Sequence, residues 1–144
     1  MLSHNDREFL ALAKIAATGS TCIYQSVGAV LAKGDRWLSS GCNHVAEGLE
    51  SCHRRGYCRT QGTDCGNSGL PSRALHAEVA AILQSPECQG ATLYCTHQPC
   101  LNCLKVMAGA GVARVVYVGQ PITDSIRHEF HNVLAIEAVP VGEP

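Results

Sequence analysis

Two short stretches constrain this chain more than anything else in it: His76-Ala77-Glu78, and Pro99-Cys100-Leu101-Asn102-Cys103 further on. Proline is a favoured opening residue for a helix, so Cys100 and Cys103 lie three apart in a first turn and point to the same side. Two thiolates there can share one metal ion. A helix N-terminus favours the deprotonated, ligating form of a thiol, and the imidazole of His76 on a neighbouring helix would be a third ligand. Three protein ligands leave a tetrahedral zinc one open position for a water, which is the arrangement of a catalytic site; structural zinc usually takes four protein ligands. Glu78 is too close in sequence to His76 to share the ion, and is positioned to shuttle protons for the bound water. Alone, Cys-x-x-Cys also fits a redox pair or a structural half-site, and His-x-Glu fits an exposed polar pair. Together they favour a catalytic metal.

Nine cysteines in 144 residues need an explanation beyond that pair. Their number is odd, so full pairing within the chain is impossible, and Met1 to Leu10, with Asp6 and Glu8, lacks the basic-then-apolar pattern of a signal peptide. A cytoplasmic, reducing compartment is expected. A composition of 46% hydrophobic and 16% charged residues describes a globular chain, and its length suits one domain over residues 1–144. The longest apolar run, around Ala108 to Ala113, is broken by glycine and stops at Arg114, well short of the roughly 18 residues a membrane span needs. A net charge of −1 weighs against a general nucleic-acid binder.

Hydrophobic spacing predicts a helix over Asp6 to Thr18, a hairpin of Val27 to Lys33 with Arg36 to Gly41, and a helix over Arg73 to Gln84 capped by Ser72. In that second helix Leu75, Val79, Ile82 and Leu83 would share a face. Ala91 to Thr96 reads as a strand, Pro99 to Ala110 as a helix ended by Gly111, and Arg114 to Val118 as a strand. Ser125 to Asn132 reads as a last helix, and Ile136 to Val141 as a short edge strand or tail. Between them Asn43 to Ser72 is rich in glycine and cysteine and poor in large apolar residues, and a loop that long is uncommon unless it binds something. The order is that of an α/β fold with crossover helices and a partly parallel sheet.

With its proline and spacing, the paired motif matches the H-x-E and P-C-x-x-C signature of zinc nucleobase deaminases. From about Ala11 to Gly119 the chain resembles the deoxycytidylate (dCMP) deaminase family of the cytidine deaminase superfamily. The resemblance is carried by Ser26-Val27-Gly28-Ala29-Val30, Ser40-Gly41-Cys42-Asn43, Ala74-Leu75-His76-Ala77-Glu78, Gly90 to Cys100, and Ala110-Gly111-Val112 leading into Arg114 to Tyr117. It implies a three-layer α/β/α fold with a mixed sheet of about five strands. It also implies hydrolysis of dCMP to dUMP and ammonia, supplying thymidylate synthesis. In that chemistry a zinc on His76, Cys100 and Cys103 activates a water for attack at C4. Glu78 moves the proton to N3 and then to the leaving amine.

By the same resemblance Asn43 touches the sugar and base edge, Ala77 offers a main-chain contact to the pyrimidine, and His97 helps wall the pocket. The relatives are homo-oligomers, hexamers among them. The chain departs from the family at Cys42 and His44, at Ala80, and at Gln25 and Ser26. These departures weaken the case for allosteric control and leave the phosphate without an assigned partner, with Arg54, Arg55, Arg59 and Arg73 as candidates. Some relatives carry a second, structural zinc, which here would use Cys22, Cys52, Cys58 and Cys65, with His53 able to replace one of them. Cys42, Cys88 and Cys95 read as ordinary buried or surface thiols. Two other functions stay open: a deaminase of another substrate, such as cytidine, guanine or tRNA adenosine, and a non-catalytic zinc protein on the same fold.

Overall fold

A computed structural model of the chain describes residues 1–22, 25–51, 54 and 73–143. Its centre is a five-stranded mixed sheet. Strands β1 (Gly28–Lys33) and β2 (Arg36–Cys42) form the expected hairpin, followed by β3 (Thr92–Cys95), β4 (Arg114–Val118) and β5 (Ala135–Val139). The order across the sheet is β2-β1-β3-β4-β5. β1 runs antiparallel to β2 and β3, whereas β3, β4 and β5 are parallel, joined by crossover helices. Four helices are described: α1 (His4–Ala17), α2 (Ala77–Leu83), α3 (Leu101–Ala110) and α4 (Asp124–Phe130).

Strand alternation divides the core into two layers. Val30, Ala32, Tyr94 and Val116 meet Phe9, Leu10 and Ala13 of α1 on one face. Ala29, Leu31, Leu93, Cys95, Val115 and Tyr117 meet α2, α3 and the segment around Phe130 on the other. The three-layer α/β/α expectation therefore holds. The N-terminus of α1 is tied across the sheet by buried Asp6, which accepts from the Tyr94 hydroxyl at 2.8 Å and from Arg114 at 2.8 and 3.2 Å. Asp6 also completes a capping box with Ser3, so α1 starts two residues earlier than apolar spacing alone predicts.

The largest departure from the sequence reading lies in α2. It begins at Ala77, with His76 as its N-cap, and not at Arg73; Ser72 lies outside the described residues. Leu75 is not in the helix but in a bridge with His44, exchanging backbone hydrogen bonds of 3.3 and 2.7 Å. The buried face is Ala77, Glu78, Ala80 and Ala81, while Leu83 is 70% exposed. Gly41 explains the choice of small residues. A Cβ there would lie 2.4 Å from the Ala77 carbonyl oxygen and 2.5 Å from the Ala81 nitrogen, so β2 and α2 touch backbone to backbone. The Ser39 hydroxyl adds a buried 2.7 Å hydrogen bond to the Ala81 carbonyl. Gly111, at φ 85°, ends α3 in the left-handed conformation expected of a C-terminal glycine.

Candidate active site

The crossover topology brings the N-termini of α2 and α3 together beside the end of β3, with His76 capping one helix and Cys100 the other. His76 Nδ1 lies 3.2 Å from Cys103 Sγ and 3.6 Å from Cys100 Sγ. The three donor atoms all fall within 4.8 Å of one another, the one such group among the described residues. Ligands of a tetrahedral zinc at ordinary bond lengths are about 3.5 Å apart for N and S, so the donor set and its spacing fit that ion. Burial pushes the Cys103 thiol well above its ordinary pKa, reinforced by the nearby Glu78 carboxylate and by Cys100. A divalent cation supplies the charge that lets such a thiol ligate as thiolate.

Glu78, the second residue of α2, is 4% exposed and among the few buried charged residues. Cys95 Sγ is 3.2 Å from its Oε1 and Cys103 Sγ is 3.5 Å from its Oε2. The carboxylate thus sits beside the metal ligands without being one of them. In front of these groups is a cavity of about 190 Å³ whose wall includes Asn43, His76, Ala77, Glu78, His97 and Cys100. All of the single-ion and substrate-contact residues named from the sequence meet here, apart from Cys103, which closes the metal site from behind.

Two of those wall residues have defined hydrogen bonds. Asn43 Oδ1 accepts from the Val27 amide at 2.8 Å, and its Nδ2 donates to the Gln25 carbonyl at 2.7 Å. The Asn43 side chain therefore braces the segment entering β1. Thr96 Oγ1 accepts from the Gly28 amide at 3.1 Å and lies 2.7 Å from His97 Nδ1.

Sequence reasoning missed several wall residues, among them Gln25, Val27 and Gln98, whose side chains reach the cavity only through the fold. It also treated Cys95 as bland, although its position at the end of β3, just before the metal motif, could have marked it. Cys22 lines the same cavity. Cys52, His53, Cys58 and Cys65, like Arg55 and Arg59, lie outside the described residues. Arg54 is exposed, and Arg73 donates to the Glu50 carbonyl at 2.8 Å. Burial pushes the Cys42, Cys88 and Cys95 thiols up, most strongly at Cys95, where the Glu78 charge adds to it.

A mixed five-stranded sheet with His and Cys donors at two converging helix N-termini is the architecture of the cytidine deaminase-like α/β proteins. The family model described as "Cytidine and deoxycytidylate deaminase zinc-binding region" matches residues 3–119, and the chain belongs to that zinc-binding family. It is 38% identical over 118 residues to the deoxycytidylate deaminase of Mycobacterium phage D29, covering 78% of this chain and 92% of that one. It is 34% identical over 116 residues to the deoxycytidylate deaminase of Schizosaccharomyces pombe, where the match covers 78% of this chain but only 36% of the yeast protein. Among solved structures, the dCMP deaminase of cyanophage S-TIM5 in complex with dCMP and dUMP superposes with a TM-score of 0.75 at 28% identity, over 96% of this chain and 99% of that one.

Proposed function

We propose that the protein is a zinc-dependent hydrolase that deaminates dCMP to dUMP and ammonia. The observation that carries the reading is the buried Glu78 carboxylate, facing the cavity with Oε2 3.5 Å from a sulfur of the His76, Cys100 and Cys103 donor set. The phage and yeast relatives named for this activity support the choice of substrate. When bound, the zinc supplies a Lewis acid that makes a water nucleophilic at neutral pH. His76, Cys100 and Cys103 hold it. Glu78 accepts a proton from the attacking water, delivers it to N3 of the pyrimidine, and passes the next one to the leaving amine. The Ala77 main chain contacts the ring, Asn43 touches the sugar and base edge, and His97 helps wall the pocket.

The same reading takes residues 1–144 as a single domain with an insert over about 43–72. It includes a homo-oligomer, a hexamer among its candidate forms, for which Leu83, Leu101 and Val106 on α2 and α3 are available apolar surface. No helix among the described residues is long and apolar enough to cross a membrane. A cytoplasmic setting fits the need to keep the ligating thiols reduced. The second zinc on Cys22, Cys52, Cys58 and Cys65 also belongs to this proposal, supported by the concentration of thiols in a segment with little apolar content.

Ammonia release from dCMP, cytidine, guanine and tRNA tests the substrate. dCMP is expected to turn over fastest, and no release from it would overturn the choice. Glu78→Gln is expected to lower kcat by about 10²- to 10⁴-fold with zinc retained. Unchanged turnover in that variant would remove Glu78 from the chemistry.

A further inference from the structure

Resting on the reading of Glu78 as proton carrier, we propose that Cys95 is a positioning residue, whose thiol holds Glu78 Oε1 so that Oε2 is the oxygen that moves the proton. Cys95 Sγ lies 3.2 Å from Oε1, and the cysteine is fully buried. It is the last residue of β3, a strand paired on both sides, with Ala29 of β1 and Tyr117 of β4 as its partners. The thiol is therefore anchored on a rigid part of the sheet, whereas Glu78 reaches it from α2.

The other oxygen has a different neighbour. Cys103 Sγ is 3.5 Å from Oε2, and as a zinc ligand Cys103 is a thiolate with no proton to donate. In the zinc-loaded protein that contact is acceptor against acceptor, and among the described residues Cys95 is then the remaining hydrogen-bond donor to the carboxylate. An S–H is a weak donor, but here the thiol is fully buried and faces a charged acceptor, and a bond shielded from competing water is strengthened. The two oxygens become inequivalent: Oε1 is held against the sheet, and Oε2, on the metal-ligand side, keeps its lone pairs for the water and the substrate. Cys95 is not one of the three grouped metal donors. Its effect runs through the orientation of Glu78, and positional errors near 1 Å at a reacting group cost roughly 10²-fold in rate.

Zinc-loaded Cys95→Ala and Cys95→Ser test the assignment, with zinc content measured alongside dCMP kinetics. Cys95→Ala is expected to keep its zinc and a KM within about twofold while kcat falls about 10- to 100-fold. Cys95→Ser, which retains a donor, is expected to recover most of that loss. In a Glu78→Gln background, Cys95→Ala is expected to add no further loss, because its role passes through the missing carboxylate. An independent readout is the infrared S–H stretch, identified as the band absent from the Cys95→Ser spectrum. It is expected at lower frequency than a free thiol, shifting upward in Glu78→Ala.

Normal kcat in Cys95→Ala, equal losses in the alanine and serine variants, an additive loss in the Glu78→Gln background, or an S–H band at the free-thiol position would each overturn the role of Cys95. If Cys95→Ala fails to hold zinc, the serine variant and the infrared band still decide. Wild-type turnover in Glu78→Gln would instead defeat the proton-carrier reading itself. An inactive Glu78→Gln beside an unimpaired Cys95→Ala would defeat the positioning role alone.

Discussion

Replacing Gly41 by alanine couples a packing fault to the candidate active site. The added Cβ would lie 2.4 Å from the Ala77 oxygen, 2.5 Å from the Ala81 nitrogen and 3.0 Å from the Ala80 carbonyl carbon, all of them backbone atoms of α2. No flexible side chain can give way. Ordinary contact begins at 3.4 Å, so β2 and α2 must separate by about 1 Å. Overpacking of this kind costs about 1–3 kcal/mol, equivalent to a Tm lower by roughly 3–10 °C for a chain of this size. The helix that must move carries His76 at its cap and Glu78 in its first turn. If α2 takes most of the displacement, kcat/KM for dCMP falls by up to about 10²-fold. Thermal unfolding and steady-state ammonia release on the same preparation measure both effects. Gly109→Ala is the control, because its Cβ meets nothing within 4 Å and its helical position favours alanine, so its Tm should hold or rise. A Gly41→Ala protein with wild-type Tm and turnover would refute the close approach. A lower Tm with wild-type turnover would show that the edge strand β2 moves and the site does not.

Asp6→Asn tests the buried link between α1 and the sheet. Burial alone would raise the Asp6 pKa, but bonds from Arg114, the Ser3 amide and Tyr94 outweigh it and hold the carboxyl below its ordinary 3.8. A carboxylate depressed in this way stabilises the fold above its unfolded pKa, and that stability is lost as pH falls through the lower folded value. The variant should be about 3 kcal/mol less stable than the parent in urea at pH 7, with the difference shrinking toward pH 3. A difference independent of pH would mean that the ion pair is not its source. Metal analysis of the purified protein should find two zinc ions per chain, falling to one in the Cys52→Ala, Cys58→Ala double variant; a single ion in the unmodified protein would remove the second site.

Much of this protein is readable along the chain because its signals are local. Pro99 with cysteines three apart, Gly111 after an apolar helix, and the β-branched run from Arg114 to Val118 depend on neighbours within one turn or one strand, so element type follows from them directly. The metal donors were legible for the same reason: each half of the set is a short motif at a helix start. The start and buried face of α2 were not. Apolar spacing selected Leu75, Val79, Ile82 and Leu83, yet the surface that α2 meets is the bare backbone of Gly41, which admits only alanines. That preference belongs to a residue more than thirty positions away.

By itself the sequence determined an α/β chain with a His, Cys and Cys donor set and a glutamate close by. Tertiary structure alone decided how these groups stand to one another. The parallel β3–β4 crossover sets the two helix N-termini side by side, so His76 comes within 3.2 Å of Cys103. The same geometry lays the end of β3 against Glu78, which turns Cys95 from an ordinary buried thiol into a hydrogen-bond donor to the carboxylate. Spacing within a segment follows from helix and strand periodicity, but contacts between segments depend on how closely the layers pack, and here glycine and alanine set that distance.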